Sequence, residues 1–217
     1  MARPLYKCCG LHSEEDVRII AQSGADIAGF VMAESRRKIR PEEVTSWLEK
    51  YPLSGKKTAL LFVNADMNEI VESFKHIRPE IIQLHGEESI EQIKSIQERL
   101  PAEVWKALPH DNTTIGKMNA YLPYVDGFVI DAKVKGLRGG TGKQFDWNHV
   151  PDYVLFGKKN NIPVLIAGGI NHSNIDELLG FEPYGVDVSS GIEKEGRKNS
   201  HLVNQIEKRL NKNEELS

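Results

Sequence analysis

Short apolar segments alternate with longer amphipathic segments from one end of this chain to the other. The strand-like segments fall at residues 5–10, 26–32, 58–63, 81–85, 104–108, 127–131, 163–168 and 186–190. The helix-like segments fall at residues 13–23, 41–50, 66–76, 87–100, 114–122, 146–159, 173–179 and 200–209. Strands that alternate with helices form parallel sheets with right-handed crossovers. Eight such pairs predict an α/β fold with a closed (β/α)8 barrel (TIM barrel); an open doubly wound sheet is the alternative.

Length and charge limit what such a barrel can bind. The 217 residues suit one barrel of minimal size, residues 1–217, with a tail at about 211–217 that we expect to fray. A net charge of −3 provides no basic field for nucleic acid. We find no signal-like start and no apolar run near membrane-spanning length. We therefore expect a cytoplasmic protein that binds neither nucleic acid nor membranes; a monomer and a homodimer are both open.

The first strand-like segment ends in Lys7, Cys8, Cys9 and Gly10. In a barrel, the active groups lie at the carboxyl ends of the strands. Side chains alternate across a strand, so Lys7 and Cys9 share the face suited to the barrel mouth and Cys8 faces the helices. A nearby cation such as Lys7 favours the thiolate that a general base requires. Cys9 is therefore a candidate base; the structural alternative is that both cysteines are small core residues.

The sixth strand-like segment ends in a carboxylate, Asp131, after four residues without charge. Burying an unpaired carboxylate is costly, so packing alone does not explain it. An apolar strand end raises the pKa of a carboxyl group and keeps a proton available for general acid catalysis. Asp131 is therefore a candidate general acid, with a turn-capping role as the alternative.

Three glycine- or serine-rich loops follow the last three strand-like segments. The residues concerned are Gly140 and Gly142 in the first loop, Gly168 and Gly169 in the second, and Asp187, Ser189, Ser190 and Gly191 in the third. Loops after strands 7 and 8 of such barrels commonly bind phosphate. The first loop matches neither the Walker A nor the dinucleotide pattern, and suits a closing lid or a phosphate clamp.

Other polar residues complete the expected mouth. Arg37 follows the second strand-like segment and could bind a carboxylate with two hydrogen bonds; a solvated charge run is the alternative for its neighbours. Gln83 and His85 share one face of the fourth segment, and Lys106 lies on the fifth. The histidines show no zinc-ligand spacing, so we predict no metal.

Several motifs, taken together and in chain order, resemble the phosphoribosylanthranilate isomerase family of tryptophan biosynthesis. They are Lys7-Cys8-Cys9-Gly10, Ser23-Gly24-Ala25-Asp26, Gly29-Phe30, Ser35-Arg36-Arg37, Phe62-Val63-Asn64, Gln83-Leu84-His85-Gly86, Asp131, Gly139-Gly140-Thr141-Gly142, Phe145-Asp146-Trp147, Ala167-Gly168-Gly169 and Val186-Asp187-Val188-Ser189-Ser190-Gly191. The family pattern is Lys-x-Cys-Gly with an apolar x, where this chain has Cys8.

The resemblance implies a barrel without a metal or organic cofactor and a small phosphoribosyl substrate. It implies the Amadori rearrangement of N-(5-phosphoribosyl)anthranilate to 1-(2-carboxyphenylamino)-1-deoxyribulose 5-phosphate. The family's base corresponds to Cys9, its acid to Asp131 and its anthranilate-binding arginine to Arg37. The loops after strands 7 and 8 would then hold the phosphate.

Three other interpretations of the sequence are possible. Related phosphosugar enzymes of the same fold use paired aspartates or magnesium-binding carboxylates, and this chain has Cys9 and Lys106 where the aspartates would lie. A silent phosphosugar-binding barrel would not need both Cys9 and Asp131. A thiol redox protein would carry CxxC rather than adjacent cysteines.

Overall fold

In the computed structural model, residues 3–132 and 144–212 are described, and eight parallel strands close into a barrel in chain order. The strands are β1 (Leu5–Leu11), β2 (Ile27–Val31), β3 (Lys57–Phe62), β4 (Ile81–Leu84), β5 (Glu103–Pro109), β6 (Gly127–Asp131), β7 (Val164–Ile166) and β8 (Gly185–Val188). The prediction of a (β/α)8 barrel is confirmed.

Helices follow the strands and form the outer layer of the barrel. They are α1 (Glu14–Ala21), α2 (Pro41–Lys50), α3 (Met67–Ile77), α4 (Ile90–Arg99), α5 (Thr114–Tyr121), α6 (Val150–Asn160), α7 (Ile175–Leu179) and α8 (Ser200–Asn211), with short 3-10 turns at Leu122–Tyr124 and Trp147–His149. None of the helices in these ranges is long and apolar enough to cross a membrane.

The element boundaries differ from the sequence prediction by up to four residues, and two of the differences concern the end of β7 and the segment after β8. The β7 strand ends at Ile166, two residues early, because Gly168 and Gly169 take positive φ angles of 88° and 67° that leave the extended conformation. A small antiparallel hairpin, β9 (Glu193–Lys194) and β10 (Arg197–Lys198), lies between β8 and α8. No strand pattern is visible in the sequence there, because each strand has only two residues.

Alternate residues of each strand pack into two separate apolar cores. The barrel interior is filled by Ile27, Ala59, Ile81, Trp105, Ala107, Val129, Leu165 and Ala167. The intervening strand residues, such as Tyr6, Cys8 and Phe30, pack against the helices. Gly127 is required beside Trp105, because a Cβ there would lie 2.6 Å from the indole ring. This filled interior closes the barrel from below, and the cavity of the barrel opens at the carboxyl ends of the strands.

Candidate active site

A cavity of about 590 Å³ opens at the carboxyl ends of the strands. This volume lies in the range of small-molecule sites. The predicted site residues that line it are Cys9, Arg37, Gln83, His85, Asp131, Gly168, Gly169, Asp187, Ser189 and Ser190. Residues from β1, β4, β6 and β8 and from the loops after β2, β7 and β8 therefore meet around one space.

Among the described residues, two predicted site residues, Lys7 and Gly191, do not line this cavity. Lys7 lies in the barrel interior, only 1% exposed, and its Nζ donates to Asp187 Oδ2 at 2.6 Å. At Gly191, a Cβ would lie 1.9 Å from the main-chain oxygen of Ile170, so this glycine allows the loops after β7 and β8 to approach closely. Gly140 and Gly142 lie outside the described residues.

The two cysteines face opposite sides of β1, which is the arrangement that strand alternation predicts. Cys9 packs with Val31 and Leu61 at the cavity wall, whereas Cys8 is fully buried in the outer core. On β2, a Cβ at Gly29 would lie 3.1 Å from the Cys9 sulfur, so a larger residue would crowd the thiol. Burial raises the pKa of the Cys8 thiol to about 12. Burial also raises the pKa of Cys9, and the nearby ammonium of Lys7 opposes that rise.

Asp131 ends β6 with its carboxylate at the cavity and is 8% exposed. Its Oδ1 accepts a hydrogen bond from the Ala132 main-chain N–H at 2.8 Å, and its Oδ2 lies 3.6 Å from His85 Nε2. Burial, together with the negative charge of Asp187, raises the pKa of Asp131 to about 6. This carboxyl group can therefore hold or release a proton near neutral pH.

The cavity floor also contains two buried polar atoms without hydrogen-bond partners among the residues that the structure describes. They are Oε1 of Gln83, whose residue is 1% exposed, and Oδ1 of Asp187, whose residue is 8% exposed. An unsatisfied buried acceptor costs free energy, and such costs are tolerated mainly where a ligand or water supplies the missing bond.

The loops after β7 and β8 form the far wall of the cavity. Gly168 can approach β6 only without a side chain, because a Cβ there would lie 2.7 Å from the Ala132 Cβ. Ser189 and Ser190 follow β8 and are partly exposed at the cavity. Hydroxyl groups beside bare glycine backbone suit a phosphate group.

Arg37 is 7% exposed and lies beside the cavity in the loop after β2. Its Nε and Nη2 donate to the two carboxylate oxygens of Glu193, at 2.7 and 3.0 Å. Glu193 in turn accepts from Lys198 at 3.0 Å. Sequence reasoning missed Glu193 and Lys198, because the segment that contains them looks like an ordinary charged loop.

The expectation that Lys106 faces a ligand is wrong. Its neighbours on β5, Trp105 and Ala107, fill the barrel interior, so alternation turns Lys106 towards the helices. Its Nζ donates there to Glu88 at 2.8 Å.

Comparison with known proteins places the chain in a family. Residues 6–209 match the family described as N-(5'phosphoribosyl)anthranilate (PRA) isomerase. This chain belongs to the PRA isomerase family. The N-(5'-phosphoribosyl)anthranilate isomerase of Bacillus licheniformis is 43% identical over 210 residues, which is 97% of this chain and 96% of the relative.

Solved structures of PRA isomerases have the same fold. The crystal structure of phosphoribosyl anthranilate isomerase from Thermotoga maritima has a TM-score of 0.81 and 31% identity, covering 98% of this chain and all (100%) of that one. A PRA isomerase in complex with reduced 1-(o-carboxyphenylamino)-1-deoxyribulose 5-phosphate has a TM-score of 0.75 and 29% identity, with 98% and 100% coverage.

Proposed function

We propose that this chain catalyses a step of tryptophan biosynthesis, the Amadori rearrangement of N-(5-phosphoribosyl)anthranilate to 1-(2-carboxyphenylamino)-1-deoxyribulose 5-phosphate. In this proposal, Cys9 is the general base and Asp131 is the general acid. The observation that carries this proposal is that the thiol and the carboxyl group line one cavity that also contains Arg37 and the loops after β7 and β8. A related isomerase binds a reduced form of this product.

In the first step, Asp131 protonates the ring oxygen of the ribose while the C1–O bond breaks. The ring opens, and the nitrogen lone pair forms an iminium ion with C1. A carboxyl group needs a pKa near the working pH for this role, and the pKa of Asp131 is raised to about 6.

In the second step, Cys9 as thiolate removes the proton from C2. The electron pair of the C–H bond forms the C1–C2 double bond, and the iminium nitrogen becomes neutral. The resulting enolamine tautomerises to the ketone at C2. Lys7, whose charge opposes the rise in the Cys9 pKa, favours the thiolate.

The acid and the base share one proton in the state that reacts. The pKa of Cys9 is raised, and that of Asp131 is about 6. At a pH above about 6 and below the pKa of Cys9, the pair therefore holds one proton, mostly on the sulfur of Cys9. Transfer of this proton to Asp131 gives the reactive form without changing the proton count. We therefore expect kcat/KM to fall below about pH 6, where both groups become protonated, and again at high pH, where both lose their protons.

Two anchors would hold the substrate on either side of the reacting carbons. Arg37 would bind the anthranilate carboxylate, while Gly168, Gly169, Ser189 and Ser190 would hold the phosphate. Fixing both ends aligns C1 and C2 with the acid and the base, and such positioning contributes strongly to rate. Gln83, His85 and Asp187 would face the ribose between the two anchors.

A fluorescence assay tests the proposal. Anthranilate and ribose 5-phosphate are condensed to make the labile substrate in place, and the loss of its fluorescence is followed. A positioned acid or base contributes about 10²–10⁴-fold, so Cys9→Ala and Asp131→Asn should each lose at least about a hundredfold in kcat.

Cys8→Ala is the matched control, because it removes a neighbouring thiol that faces away from the cavity. Near-normal turnover in Cys9→Ala would contradict the assignment of the base. Absence of turnover in the wild type would instead indicate that the barrel catalyses a different phosphosugar reaction or only binds a ligand.

A further inference from the structure

The hairpin between β8 and α8 contributes a carboxylate to the edge of the active site. The Glu193 side chain is only 5% exposed and receives two parallel hydrogen bonds from Arg37, from Nε at 2.7 Å and from Nη2 at 3.0 Å. A guanidinium held at two points by one carboxylate has a fixed plane and a fixed direction. The orientation of Arg37 is therefore set by the hairpin.

Glu193 is itself held in place by a buried cation. The Lys198 side chain is fully buried and donates to Glu193 Oε1 at 3.0 Å. The same ammonium donates to the main-chain oxygens of Cys9 at 2.6 Å and Ser189 at 3.1 Å. The carboxylate is thus tied to the strand that bears the thiol and to the loop that follows β8.

Charge and protonation agree with this geometry. Burial acts to raise the pKa of Glu193, but hydrogen bonds from Arg37 and Lys198 lower it below its usual value. Glu193 therefore remains ionised at neutral pH and balances one of the two buried cations beside it. The cluster keeps one excess positive charge at the cavity edge, apart from the exposed Arg36, which also contacts Glu193 at 3.0 Å.

One edge of the Arg37 guanidinium is left for a ligand. Its aliphatic part lies against Gly10, where a Cβ would come 2.4 Å from Cδ. Nε and Nη2 are bonded to Glu193, while Nη1 has no hydrogen-bond partner within residues 3–132 and 144–212. Arg37 lines the cavity, so this edge is available to an anion there.

We propose that Glu193 is a positioning residue that determines specificity: its ion pair with Arg37 directs the free guanidinium edge at the carboxylate of the anthranilate group. The inference rests on the proposed function. It predicts that replacing Glu193 lowers kcat/KM for a substrate with this carboxylate and leaves kcat/KM nearly unchanged for a substrate without it.

The test uses two substrates that differ only in that carboxylate. Ribose 5-phosphate is condensed with anthranilate or with aniline, and chromatography follows product formation by wild type, Glu193→Gln, Glu193→Asp and Arg37→Ala. Charge-assisted hydrogen bonds are roughly twice as strong as neutral ones, so Glu193→Gln should hold Arg37 less firmly. The preference for the anthranilate substrate, measured as the ratio of the two kcat/KM values, should then fall by about tenfold. The loss should appear mainly in KM, and Glu193→Asp should give an intermediate ratio.

Internal references separate positioning from folding. Retained kcat/KM on the aniline substrate shows that Glu193→Gln is folded and catalytically active. Arg37→Ala gives the ratio of the two kcat/KM values when the guanidinium is absent. Glu195→Gln makes the same change of charge at an exposed position of the same hairpin and should leave the ratio unchanged. An unchanged or increased ratio in Glu193→Gln, or an equal loss on both substrates, overturns the inference. Inactivity of the wild type on the anthranilate substrate would instead contradict the proposed function.

Discussion

Two buried pairs of lysine and carboxylate lie on opposite faces of the barrel sheet. Lys106 and Glu88 lie in the outer layer, with side chains 1% and 0% exposed and a 2.8 Å separation. Lys7 and Asp187 lie inside the barrel, 1% and 7% exposed and 2.6 Å apart. The residue types and burial are nearly the same, and the difference lies in what surrounds the carboxylates.

Both members of the outer pair make several further hydrogen bonds. Lys106 donates to Glu88 and to the main-chain oxygens of Leu84 and Gly86. Both oxygens of Glu88 accept main-chain N–H groups, from Asn64 and Gly86. Burial acts to raise the pKa of Glu88, yet Lys106 and these bonds hold it below its usual value. This pair holds together the loops after β3 and β4.

The inner pair is incomplete. Asp187 uses Oδ2 for Lys7, while Oδ1 is buried without a partner in the part of the chain that the structure describes. Its negative charge contributes to the raised pKa values of both Asp131 and Cys9. The same type of pair therefore holds two loops together on one face of the sheet and, on the other face, contributes to the raised pKa values of two residues that line the cavity.

The first prediction breaks the outer pair. Glu88→Gln leaves Lys106 without its buried carboxylate, and loss of one partner of a buried pair costs about 3–5 kcal/mol. Chemical denaturation should show this fall in the free energy of unfolding, while the folded fraction keeps its kcat. Glu87→Gln, at an exposed neighbouring position, should change neither quantity. A large loss of kcat with unchanged stability would show that the outer pair also acts in catalysis.

The second prediction breaks the inner pair. Asp187→Asn removes one preorganised charge from the reaction site and should lower kcat by about a hundredfold, close to 2.7 kcal/mol. The sign of the pH effect follows from the raised pKa of Asp131. Without the negative charge of Asp187 that pKa falls, so the acid limb of kcat/KM should move from about pH 6 to lower pH.

A pH–rate profile of the residual activity measures this shift. The alkaline limb should move in the same direction, because Asp187 also contributes to the raised pKa of Cys9. Limbs that stay in place while the rate falls would mean that Asp187 acts on substrate binding alone.

The smallest predicted effect concerns Cys8, on the outer face of the strand that carries Cys9. Cys8→Ala should lower the free energy of unfolding by about 1 kcal/mol through a small cavity and leave kcat nearly unchanged. Thermal denaturation and the fluorescence assay measure the two quantities. If Cys8→Ala lost more activity than Cys9→Ala, strand alternation would have selected the wrong thiol.

Sequence patterns were informative where one local rule decides the outcome. The period of two along β1 separates Cys9 from Cys8, and the same rule, applied to β5, would have turned Lys106 away from the cavity. The fold also followed from a local signal, because eight alternations of strand and helix leave few topologies. The hairpin at Glu193 and Lys198 gave no such signal, since four strand residues carry no periodicity.

By itself, the sequence determined the closed barrel, the strand ends that face its mouth and the identity of the candidate acid and base. These depend on side-chain alternation and on residue types at strand ends, both of which are local properties of the chain. Only the tertiary structure decided which charges meet. Arg37 and Glu193 are 156 residues apart in sequence, and Lys7 and Asp187 are 180 apart. Such pairs form because barrel closure brings β8 and the hairpin after it beside β1 and β2, a long-range consequence that no local pattern records.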